Sequence, residues 1–133
     1  MNTFKNITII AIVFFLSSVS LAQQGKVTLN ITDQNFISGD TYEFYIVLYD
    51  CSSGTPSPLA YIGPTSSGPV SSMPFIWGPN NFPYNIGGDY SKIFKFRAVV
   101  YKTSVTPQIQ RETWTDLFDT YDYLLGVTVT VPF

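Results

Sequence analysis

The chain has 133 residues, 45% hydrophobic, 17% aromatic and only 12% charged, with a formal net charge of −2, one cysteine and no histidine. Such a composition suits one domain with enough apolar surface to fold and argues against intrinsic disorder. Lacking histidine, the chain alone cannot build a Ser-His-Asp or Cys-His centre, a histidine-containing zinc site or an imidazole proton shuttle, and a single cysteine excludes an internal disulfide and a CxxC motif.

Residues 1–22 read as a secretory signal peptide. Lys5 supplies the positive start, residues 7–16 form an apolar run interrupted by Thr8, and Ser20-Leu21-Ala22 gives small-x-small before Gln23. A membrane anchor is the competing reading, but ten apolar residues span only ~15 Å as a helix against ~30 Å of hydrocarbon. Cleavage leaves a 111-residue chain with six basic and nine acidic residues. That balance argues against nucleic acid as a partner, because such binding needs clustered cations. The signal peptide implies a location in the periplasm, on the cell surface or outside the cell.

Alternation of period two then marks four strands. Residues 26–33 place Val27, Leu29 and Ile31 on one face. Residues 42–51 place Tyr42, Phe44, Ile46 and Leu48 inward, with Glu43, Tyr45, Val47 and Tyr49 opposite. Cys51, at the end of this strand, is expected to be a small buried hydrophobe in preference to half of an intermolecular bridge. Of the 21 residues in 52–72, 16 are Ser, Gly, Pro or Thr, which predicts a loop enclosing at most a short edge strand at 59–62. A weaker strand is expected at 73–78, followed by a turn cluster from Gly78-Pro79 to Gly87-Gly88-Asp89. Residues 93–102 set Phe94, Phe96, Ala98 and Val100 against Lys95, Arg97 and Tyr101, and 108–114 are polar enough for an edge strand. Helix spacing of Trp114, Leu117, Phe118 and Tyr121 predicts one short helix near residues 114–121, capped by Thr113 with Asp116. Finally, Leu125, Val127, Val129, Val131 and Phe133 alternate to the C-terminus.

Strands parted by turns favour an all-β fold: a single antiparallel β-sandwich of about six or seven strands, the two-sheet architecture of immunoglobulin-like, C2-like or transthyretin-like domains. The terminal strand is similar to the last strand of an outer-membrane barrel, but the 52–72 loop consumes too much chain for a barrel of about eight segments. Donation of that strand to a neighbouring subunit is another use, and pairing within the chain is the plainest.

Asp116, Asp119 and Asp122 are weak calcium candidates whose spacing is not that of an EF-hand, and a solvated face explains them as well. Carboxylates alone can hydrolyse glycosides, yet no acidic pair stands out here. No metal or cofactor is called for. The sequon Asn30-Ile31-Thr32 is read as coincidence. The aromatics are the informative excess, with Tyr45, Tyr49, Tyr61, Trp77, Phe82, Tyr84, Tyr90 and Tyr101 the ones with a claim to the surface. The expectation is a non-catalytic module for protein interaction, adhesion or assembly, acting through a strand edge or the Tyr45/Tyr49 face, alone or as a homo-oligomer. The alternative is carbohydrate binding through Trp77, Phe82, Tyr84 and Tyr90, since exposed rings stack on sugars.

Overall fold

A computed structural model describes residues 23–133; the signal peptide read at 1–22 lies outside the described residues. Within them the chain forms β1 (Gln24–Thr32), β2 (Tyr42–Asp50), β3 (Ser57–Ser66), β4 (Phe75–Asn85), β5 (Ile93–Lys102), β6 (Ile109–Trp114), β7 (Phe118–Asp119), helix α1 (Thr120–Leu125) and β8 (Val127–Pro132). Two sheets pack face to face. One has the order β4-β1-β8, the other β3-β2-β5-β6, with the two-residue β7 pairing on β5. The fold is therefore the expected β-sandwich with one short helix. No helix among the described residues is long and apolar enough to cross a membrane.

The inward positions predicted by alternation meet in one core. Val27, Leu29, Ile31, Val129 and Val131 from the smaller sheet face Tyr42, Phe44, Ile46, Leu48, Phe94, Phe96, Ala98 and Val100 from the larger. All ladders are antiparallel except β1–β8, which run parallel in the register Leu29↔Val129 and Ile31↔Val131. The terminal strand is thus used inside its own sandwich.

Three local readings are corrected. The helix begins at Thr120, six residues later than the start of the predicted span, and its cap is Asp119, whose carboxylate accepts from the Asp122 backbone N–H at 2.9 Å. Thr113 and Trp114 instead pair with Ala98 and Arg97 of β5, so an available strand edge outweighs a weak helical period. Tyr123, projecting from α1, closes one end of the core. Its ring packs on Phe94 and Phe96, and its hydroxyl donates to the Tyr84 carbonyl at 2.6 Å.

The second and third corrections share one cause. A stretch expected to be loop with at most a short edge strand at 59–62, and one expected to be a weak strand at 73–78 followed by turn, are strands of ten and eleven residues, β3 and β4. Each contains a Gly-Pro pair sitting in a bulge. Opposite Val27–Leu29 the partner shifts from Asn80 to Trp77, and opposite Phe44–Ile46 it shifts from Thr65 to Ile62, one extra residue in each case. The bulge in β4 switches parity, so Phe75 and Trp77 before it and Phe82 and Tyr84 after it all pack on the core. Glycine is required at both bulges. Gly63 and Gly78 have φ of +106° and +105°, and a Cβ there would lie 2.6 Å from the Phe44 carbonyl oxygen or 2.7 Å from that of Val27. Proline is tolerated because β3 and β4 are edge strands. Pro132 in β8 and the exposed Arg111 and Glu112 in β6 blunt the remaining two edges against pairing with another chain.

A buried polar knot ties the loop after β1 to the end of β5. Lys102 Nζ lies 2.7 Å from Asp33 Oδ2, 3.2 Å from Asp40 Oδ2 and 3.2 Å from the Asn35 carbonyl oxygen. Tyr42 donates to Asp33 at 2.7 Å and Ser104 to Asp40 at 2.8 Å. Burial opposes charge on Asp33, but hydrogen bonds from Lys102, Tyr42 and the Asn35 N–H outweigh it and hold the carboxyl below its ordinary range. Asp40 is lowered as well, chiefly by the Ile37 backbone N–H. Burial likewise opposes charge on Lys102, and its two carboxylate partners outweigh that and raise it.

Two outcomes are expected. Folded-state values lowered at Asp33 and Asp40 give stability that is present above the ordinary carboxylate value near ~4 and lost as pH falls through the lower folded values. Lys102→Met leaves Asp33 buried without its cation, and urea denaturation at pH 7 should register a loss of about 3–5 kcal/mol and a flatter acid limb; an unchanged acid limb contradicts the assignment. Gly78→Ala should destabilise by about 1–3 kcal/mol in the same assay, through strain at positive φ and the contact with the Val27 carbonyl.

Candidate functional site

The larger sheet buries one face against the smaller sheet, and none of the described strands or the helix lies over its other face. Register defines what that face carries. Tyr61, Val47, Arg97 and Trp114 form one row across β3-β2-β5-β6, Tyr45, Val99 and Glu112 a second, and Glu43, Tyr101 and Gln110 a third. Tyr61 is 68% exposed and Trp114 42%, whereas Val99 is fully buried although no second layer covers it. Side chains of this sheet cover their own strand. The rings of Tyr49 and Trp114 meet at 4.8 Å, and Arg97 lies over the Trp114 ring at 5.8 Å.

Arg97 Nε and Trp114 Nε1 both donate to Glu112 Oε1, at 2.7 and 2.9 Å. The Arg97 bond holds the Glu112 carboxyl below its usual range, and Glu112 in turn raises the guanidinium. The phenol of Tyr45 is pushed up by burial first and by neighbouring Tyr101 next. Arg97 and Glu112 therefore satisfy each other, while the exposed rings of Tyr61 and Trp114 lie on the outer strands of the same face.

One end is concave. A depression of about 430 Å³ is lined by Glu43, Tyr45, Pro64, Tyr101, Thr103 and Gln108. Its wall follows from the β3 bulge: the extra residue brings Gly63 against β2, where a Cβ would lie 3.0 Å from Tyr45 Cβ, and Pro64 borders the cavity. The Thr103 hydroxyl is paired with Thr41 at 2.6 Å, but among the described residues no hydrogen bond or ion pair engages the side chains of Glu43 and Gln108.

The aromatic residues expected to bind are divided by the fold. Tyr45 and Tyr49 lie on the open face, half-buried among their neighbours. Phe82 belongs to the core, its ring 5.0 Å from that of Phe96. Trp77 packs edge-on against Phe44 at 5.2 Å, and Tyr84 against Phe94 at 6.0 Å. Tyr90 is exposed, but at another end of the molecule, stacked on Tyr121 at 5.2 Å and 29°. Those two rings cover each other instead of forming a side-by-side platform. Trp77, Phe82, Tyr84 and Tyr90 therefore form no shared surface, because the parity switch in β4 turns the first three inward. Residues missed as candidates include Trp114, Arg97, Glu112 and Gln108. The parity of Gln110, Glu112 and Trp114 on an edge strand is the signal for the first, masked by its apparent helical spacing.

Asp116, Asp119 and Asp122 do not converge. Asp119 spends its carboxylate on the helix cap, and Asp116 and Asp122 border a shallower depression of about 320 Å³. No group of three or more potential ligands is present among the described residues. Cys51 is a free thiol, half-buried at the strand end where full burial was expected.

Comparison with protein-family models, with curated proteins and with solved structures found no match. The open face stands on its own geometry.

That geometry separates the two groups of aromatics in one assay. Phe82→Ala should cost about 3–5 kcal/mol, and Tyr61→Ala should stay within about 0.5 kcal/mol of the parent. Equal losses measured by chemical denaturation contradict the division.

Proposed function

We propose that this protein is an exported, non-catalytic binding module whose working surface is the open face of the β3-β2-β5-β6 sheet, used for adhesion or attachment in the periplasm or at the cell exterior. The observation that carries the reading is the combination on that face of exposed rings at Tyr61 and Trp114 with a concave end at Tyr45 and Tyr101. Apolar surface of this kind, bordered by polar groups, is characteristic of recognition surfaces.

Several features favour this over the competing uses. Every sheet edge carries proline or charge, and β8 is already paired with β1, so attachment across a face suits the molecule better than strand exchange. Five of the nine acids have structural partners: Asp33 and Asp40 hold Lys102, Asp50 holds Lys92 at 2.9 Å, Glu112 holds Arg97, and Asp119 caps α1. Export is favoured by the N-terminal pattern and accords with the anchoring of Gln23 at the proposed new terminus, where its side chain donates to the Tyr90 hydroxyl at 3.1 Å and its carbonyl accepts from Ile86 N–H.

Co-sedimentation with cell envelopes of the producing organism tests the reading. The parent protein should bind, and the Tyr61→Ala/Trp114→Ala double variant, shown by circular dichroism to keep the β-sheet fold, should bind at least tenfold more weakly. Equal binding by the two proteins, or none by the parent, contradicts it.

A further inference from the structure

We infer that the depression formed by Glu43, Tyr45, Pro64, Tyr101, Thr103 and Gln108 is a binding site for a neutral, hydroxyl-rich ligand, a saccharide unit presented by a surface glycan. This rests on the proposed binding role of the open face and names the ligand class for its concave end.

The lining decides the class. Glu43 offers only acceptors, the Gln108 amide offers both donors and acceptors, and the two phenols, bonded to each other, leave one O–H donor and acceptor lone pairs for a ligand. A cation needs acceptors alone and has no use for the amide N–H groups. An anion needs donors and would meet the Glu43 carboxylate, while Arg97, on the same face, is already bound to Glu112 at 2.7 Å. A sugar hydroxyl donates and accepts at once, so it satisfies both kinds of group. Because the side chains of Glu43 and Gln108 have no partner among the described residues, a ligand would exchange their water contacts without breaking a bond within the described fold. The apolar part fits as well: the rings of Tyr45 and Tyr101 and the ring of Pro64 provide surface for the C–H face of a pyranose. At about 430 Å³ the depression falls in the lower part of the range for small-molecule sites, roughly 300–1,000 Å³.

The site is also preformed. Tyr45 and Tyr101 project from β2 and β5, paired at the centre of the sheet, and Pro64 is held by the β3 bulge. A ligand therefore meets rings whose ordering is already accomplished by folding, which favours weak-contact ligands such as sugars.

The test applies the protein purified from a host expressing the full chain to an array of neutral, acidic and sulfated oligosaccharides, followed by calorimetry with the best-bound neutral member. The parent should bind neutral members in preference to charged ones. Gln108→Ala and Glu43→Gln, both at exposed positions that leave the core intact, should each weaken binding at least tenfold, and Tyr90→Ala, at another end, should leave it unchanged. No neutral member bound, preference for charged members, or neutral binding indifferent to Gln108→Ala and Glu43→Gln each overturns the inference. If face-dependent envelope binding persists while the array is negative, or if that binding is abolished by protease and untouched by periodate, the module reading stands and the saccharide assignment falls.

Discussion

A sandwich of two sheets has no third layer, so each sheet can bury one face and must leave the other to solvent. In this chain the constraint falls hardest on β2 and β5, the central strands of the larger sheet, because both carry large side chains on both faces. The inner set joins the aromatic and aliphatic core. The outer set has no element to pack against and resolves its exposure laterally, through Tyr49 on Trp114, Arg97 on Glu112 and Trp114, and Tyr45 beside Tyr101. Val99 is thereby buried beneath its own neighbours. A surface organised this way is rich in rings that are held by one another.

The strands that follow period two without interruption were legible in sequence. β2 and β5 match their expected spans at nearly every residue, and β1 and β8 to within two or three. β3 and β4 were not, because each carries a bulge. One inserted residue reverses which parity faces the core, so Phe75 and Trp77 cannot be joined to Phe82 and Tyr84 by any single alternation, and Gly-Pro within a strand looks locally like Gly-Pro within a turn. The same inversion undid the aromatic candidates. Phe82 and Tyr84 read in sequence as part of a polar turn and Trp77 as a surface ring on a weak strand, yet all three pack on the core, whereas Tyr45 and Tyr49 sit on a strand whose alternation is clear and lie on the face it assigns them.

The helix illustrates a different limit. A six-residue helix has little intrinsic stability and exists here because Asp119 caps it and Tyr123 is drawn into the core. Its position depends on where β6 stops pairing with β5, which is a property of the ladder and not of the residues that form the helix. The polar knot at Lys102 has the same character: Asp33 and Asp40 lie 69 and 62 positions from Lys102 in sequence, and only the closed sandwich brings them together.

The division between an interior set of rings and an open, ring-bearing sheet face is measured most directly by hydroxyl-radical footprinting with residue-level mass spectrometry. The account predicts rapid oxidation of Tyr61 and Trp114, comparable to that of Tyr121, with Phe82 and Tyr123 at least tenfold slower. Protection of Tyr61 and Trp114 to the level of Phe82, or free reaction of Phe82 and Tyr123, would contradict it.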